Sequence, residues 1–112
     1  MKATLKELIT RYEIALIRLN KRECKTISWK RFKFRYITNK GKCILCKRVI
    51  LLTGTLFSNI ECSLCPLRFA HYTTYACINH PTFIRIERYE KSILIDKVKR
   101  RIKYLKQIYK TL

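Results

Sequence analysis

Carboxylates are scarce in this chain. Seven Asp and Glu stand against 26 Lys and Arg in 112 residues, a formal charge of +19. The seven, Glu7, Glu13, Glu23, Glu61, Glu87, Glu90 and Asp96, are scattered, with no pair at a spacing suited to a metal-dependent nuclease. The His-x-Glu that a zinc deaminase needs ahead of its cysteines is also missing. No catalytic constellation is therefore expected. Glycine and proline number two each, which argues for regular elements joined by few long loops. Long apolar runs are absent as well: Val49–Leu52 is far too short to span a bilayer, and Met1–Glu7 contains no signal-peptide core. The expectation is a cytoplasmic, reducing environment with no membrane partner, where cysteines bind metal more readily than they pair as disulfides.

Apolar residues make up 48% of the chain, so it is not a disordered basic tail despite its charge. At this length, residues 1–112 are expected to form a single domain with a modest core that a metal would help to hold. Self-repulsion at such a charge opposes compaction, and a polyanion relieves it. Nucleic acid is the expected polyanion.

The cysteines supply the sharpest pattern. Cys43-x-x-Cys46 and Cys62-x-x-Cys65 are separated by fifteen residues, the spacing of a structural zinc site. Two intervening residues let the chain turn so that both sulfurs face one ion, and two such turns close a tetrahedral shell with no place for an activated water. One zinc on Cys43, Cys46, Cys62 and Cys65 is the reading; an iron–sulfur cluster or a redox dithiol pair is the alternative. Cys77 and His80 have ligand-like spacing and are possible substitutes for one of the four. Lys42, Lys47, Arg48 and Arg68 nearby favour the thiolate form. Cys24 reads as a small buried hydrophobe, and His71 as a surface residue or a neighbour of the site.

The order Cys43, Cys46, Cys62, Cys65-Pro66, then Cys77 near Pro81, resembles that of small cysteine-rich, zinc-ribbon-like proteins of bacteriophages and bacteria. The resemblance covers roughly residues 43–83. It implies a cysteine module set between a leading and a trailing helix, and a small accessory or host-interacting role. Lys47 and Pro66 stand where a standard zinc knuckle carries glycine.

Around that module the periodicity predicts three parts. Residues 2–23 read as an amphipathic helix with Leu5, Leu8, Ile9, Tyr12, Leu16 and Leu19 on one face and a Thr4–Glu7 capping box. Residues 26–83 read as a zinc-stabilised β and loop module. It opens with a strand over 26–38, where Phe32, Phe34 and Tyr36 alternate with Arg31, Lys33 and Arg35. A turn at Asn39–Gly41, a hairpin over 47–58 and an irregular segment over 67–83 follow. Residues 84–112 read as a basic amphipathic helix with a seam of Ile95, Val98, Ile102, Leu105, Tyr109 and Leu112. Glu87 and Glu90 would share a face of that helix and pair with Arg85, Arg88 and Lys91. The seam would pack on the first helix or on a second copy. The fold class is α+β: two helices flanking a small zinc-ribbon-like β module.

Three basic surfaces follow. Lys30, Arg31, Lys33 and Arg35 share the aromatic strand, Lys40, Lys42, Lys47 and Arg48 surround the first cysteine pair, and Lys97, Lys99, Arg100, Arg101 and Lys103 wrap the last helix. Alternating cations and rings suit phosphate contacts on one face and base stacking on the other; the favoured reading puts Phe32 and Phe34 in the core and leaves only the cations to solvent. No sequence-reading motif is visible, so contacts should go mainly to phosphate, with RNA slightly preferred over DNA. The expected function is non-catalytic, zinc-stabilised binding of nucleic acid, RNA or a ribonucleoprotein. The alternatives are a phage-type inhibitor or adaptor that docks on an acidic host protein, and a subunit of a larger nucleoprotein assembly.

Overall fold

The computed structural model describes residues 2–38, 43–45 and 81–111. The expected hairpin over 47–58, most of the 67–83 segment and the turn at Asn39–Gly41 lie outside those residues.

Within them the order is α1 (Lys2–Lys21), β1 (Thr26–Ser28), α2 (Trp29–Tyr36), β2 (Arg88–Glu90) and α3 (Lys91–Thr111). Three helices and a two-stranded antiparallel sheet make a helix-flanked α+β arrangement. A zinc ribbon is not among the described elements.

α1 forms because its apolar residues recur at helical steps. Leu5, Leu8, Ile9, Tyr12, Ala15 and Leu19 are buried, and Leu16 is half-buried at their edge. α3 supplies the facing stripe, Leu94, Val98, Ile102, Leu105 and Ile108. The two helices run antiparallel: the Lys106 ammonium reaches Glu13 at 3.4 Å, and Lys91 at the start of α3 donates to the carbonyls of Asn20 and Arg22 at the end of α1. That cation satisfies carbonyls that a helix end leaves without intrahelical partners. Each buried leucine or isoleucine stabilises the pair by about 1.5–3 kcal/mol. The expected seam is rotated by part of a turn, since Ile95 and Tyr109 are only half-buried while Leu94 and Ile108 are buried. Partnering by α1 is what rotates it.

Four local expectations give way to tertiary structure. α1 begins at Lys2, so Thr4 lies within its first turn and not in a capping position. It ends at Lys21, and Cys24 beyond it is exposed where a buried thiol was expected.

The strand expected over 26–38 is limited to Thr26–Ser28, and Trp29–Tyr36 is helical. Both periods put Phe32 and Tyr36 on one side; they disagree over Trp29 and Phe34. The helix aligns Trp29, Phe32 and Tyr36 at steps of three and four, which buries the large indole completely. Tyr12, Trp29, Phe32 and Tyr36 then form a ring ladder with centroid separations of 6.3, 6.1 and 4.6 Å. Arg11 of α1 donates to the carbonyls of Ile37 and Thr38 and so holds the end of α2.

The long helix begins at Lys91, and Arg88–Glu90 is a strand. Glu87 and Glu90 therefore do not share a helix face. The register is Thr26 to Glu90, Ile27 to Tyr89 and Ser28 to Arg88. Backbone bonds from Trp29 to Glu87 (3.1 Å) and from Lys91 to Lys25 (2.9 Å) extend the pairing at both ends. Ile27 points into the core, so Thr26 and Ser28 fall on the outer face.

Candidate functional site

The short sheet and α2 together build a basic cleft. Thr26 and Ser28 line its floor through the period of the strand. Arg31 and Arg35, one helical turn apart, project from α2 along one side. Arg22 enters from the end of α1 and Arg88 from β2. The space encloses about 320 Å³, and no described carboxylate lines it. Glu23 and Glu90 border a neighbouring hollow instead.

Three of the four arginines are held by described contacts. The Arg22 guanidinium lies 5.5 Å from the Phe32 ring centre and that of Arg35 5.3 Å from Tyr36. Arg88 Nε donates to Thr26 Oγ1 at 3.2 Å. A guanidinium set over a ring keeps its in-plane N–H donors free to bond other groups. Ser28 is the residue before α2 and makes no side-chain capping bond, and the Trp29 N–H that follows it donates to the Glu87 carbonyl.

A second hollow of about 580 Å³ lies on the other side of α2. Its lining includes Lys30, Lys33, Phe34 and Ile86, and it shares Ser28 and Arg31 with the cleft. Phe34 is 61% exposed and Ile86 57%. The expectation that Phe34 joins the core with Phe32 is thus corrected: two positions along a helix, they face different ways.

Of the residues singled out from the sequence, Lys30, Arg31, Lys33 and Arg35 come together on α2. Lys97, Lys99, Arg100 and Lys103 lie on α3, all exposed except Lys97, whose ammonium sits 5.5 Å from the Tyr89 ring centre. Arg101 is a correction. Only 4% exposed, it donates to Thr82 Oγ1 at 3.0 Å and stacks on Tyr104, which ties α3 to the segment at residue 82 and withdraws it from any surface. Arg22 and Arg88 were not anticipated, because nothing in a linear pattern links positions so far apart. The alternation Ile84-Arg85-Ile86-Glu87 ahead of Arg88 was the available signal for a strand.

Tyr89, opposite Ile27, has its phenol raised above the usual value, first by burial and then by the neighbouring Glu87 carboxylate; its hydroxyl donates to the Arg85 carbonyl at 2.9 Å.

Of the cysteine constellation, Cys43 is described: it is half-buried against the core next to buried Ile44 and Leu45. Cys46, Cys62, Cys65, Cys77 and His80 lie outside the described residues, as do Lys40, Lys42, Lys47, Arg48 and His71. Among the described residues no three Cys, His, Asp or Glu side chains gather as a metal site. No described helix is long and apolar enough to cross a membrane. No family model, no curated protein and no solved structure matches this chain.

Proposed function

We propose that this chain is a non-catalytic nucleic-acid-binding protein that grips phosphates, with RNA or a ribonucleoprotein as its preferred target. The observation that carries the reading is the convergence of Arg22, Arg31, Arg35 and Arg88 on one cleft with no described carboxylate among them. Clustered like charges destabilise a fold unless an anion shares them. Guanidinium forks bind phosphate in a bidentate manner, and Thr26 and Ser28 add neutral donors. Lys99, Arg100 and Lys103 on α3 extend the basic surface.

One zinc held by Cys43, Cys46, Cys62 and Cys65, with Cys77 or His80 as substitute ligand, belongs to the same proposal. It would join the segment after α2 to the main core, beside which Cys43 lies. Packing of α3 on α1 supports a self-contained binder, since the apolar stripe of α3 is used within the chain.

The test is fluorescence anisotropy of labelled oligonucleotides across a salt series. Log affinity should fall linearly with log salt, with a slope of about −0.7 per phosphate engaged on a single strand. Replacing Arg31 and Arg35 together by Ala should flatten that slope by about one unit or more. Native mass spectrometry of the protein purified at low salt without nuclease should find one zinc and co-purifying nucleic acid. A stoichiometric acidic host protein with no nucleic acid would overturn the reading in favour of an inhibitor or adaptor.

A further inference from the structure

Building on the phosphate-binding reading, we infer that the hollow beside Phe34 receives an unpaired nucleobase, so that the ligand is single-stranded nucleic acid or the splayed loop of a folded RNA. Phe34 is the one exposed aromatic ring among the described residues; every other described ring is buried or half-buried. The helical phase of α2 explains why. Trp29, Phe32 and Tyr36 occupy the core side, which leaves Phe34 facing outward. Ile86 stands beside it, also exposed, and the two make an apolar floor.

The rim of that floor decides what rests on it. Lys30, Arg31 and Lys33 surround it, and no described acidic residue lines it. An apolar floor with a cationic rim suits a flat ring carrying a phosphate, because the ring stacks while the phosphate meets the cations. Ser28 and Arg31 line this hollow and the arginine cleft alike. A strand crossing α2 at Arg31 would lay its backbone along Arg22, Arg31, Arg35 and Arg88 and turn a base onto Phe34. A duplex hides its base faces within the stack, so only an unpaired base can use the ring.

The experiment titrates the full chain into three ligands of equal length: a single-stranded oligoribonucleotide carrying 2-aminopurine, an abasic strand, and a duplex. A stacked base contributes roughly five- to a hundredfold in affinity. The base-bearing strand should therefore bind more tightly than the abasic strand by that factor, and more tightly than the duplex, with quenching of 2-aminopurine emission. Phe34→Ala should abolish both the preference and the quenching, and Phe34→Trp should keep them. A circular-dichroism melt of each variant should match the parent, because the ring is exposed. Equal binding of base-bearing and abasic strands would overturn the stacking site, as would tighter binding of the duplex. If Arg31→Ala with Arg35→Ala still weakens every ligand in those cases, the phosphate reading stands without the platform. If that variant binds unchanged, the cleft reading falls as well. Phe34-dependent binding of poly-glutamate with no binding to any strand would overturn both in favour of an acidic protein partner.

Discussion

On the α1–α3 hairpin, Arg11 lies 3.1 Å from Glu7 and Lys106 lies 3.4 Å from Glu13. Around the cleft beside α2, four arginines converge and no described carboxylate answers them. Both regions draw on isoleucine, aromatic residues, lysine and arginine. The hairpin spends its apolar residues on a continuous stripe and places two of the seven carboxylates where they offset local charge. The α2 edge buries Trp29 and Phe32, keeps Phe34 outside, and stacks cations on rings without neutralising them. One region is organised for stability. The other carries charge that stability alone does not require, and that difference locates the candidate interface.

If the two regions serve different ends, substitutions in them should have different effects. The largest loss of stability is expected at Trp29→Ala, about 3–5 kcal/mol by denaturant unfolding, because the indole is fully buried where α1, β1 and α2 meet. Leu94→Ala and Leu105→Ala, fully buried on α3, should cost about 2–5 kcal/mol. Replacing Arg31 and Arg35 together by Ala should leave stability within about 0.5 kcal/mol, or raise it as repulsion falls, while weakening oligonucleotide binding in a salt-dependent way. A loss of several kcal/mol there would make the arginines structural and end the contrast. Glu13→Gln should cost at most about 1 kcal/mol, because its pair with Lys106 is half in solvent.

The smallest effect concerns pH. The Tyr89 phenol is raised in the folded chain by burial and by Glu87. Folding therefore favours the neutral phenol: its contribution is complete below the ordinary tyrosine value of about 10 and is lost as pH rises through the higher folded value. A parent chain should lose slightly more stability than Tyr89→Phe in alkaline melts. An identical decline in the two would show that Tyr89 has no part in it.

Much of the hairpin was legible. The stripe from Leu5 to Leu19 needs only a period of 3.6, and a long run of such steps has one reading. The α2 segment was not, because eight residues fit both periods and the alternation of Phe32, Phe34 and Tyr36 with cations imitates a strand. Burial of Trp29 decides between them, and burial depends on Tyr12, seventeen positions earlier. The cleft was half legible: Arg31 and Arg35 are neighbours in sequence, whereas Arg22 and Arg88 meet only through the pairing of β1 with β2.

By itself the sequence determined the charge, the scarcity of carboxylates, the cysteine spacing and the two long helices, since these follow from composition and local period. Tertiary structure alone decided that Phe34 faces solvent, that Arg101 is buried, that residues 88–90 pair with 26–28, and which arginines share a cleft. Each of those outcomes depends on which distant surface a side chain meets, and a local pattern of eight residues or fewer does not carry that information.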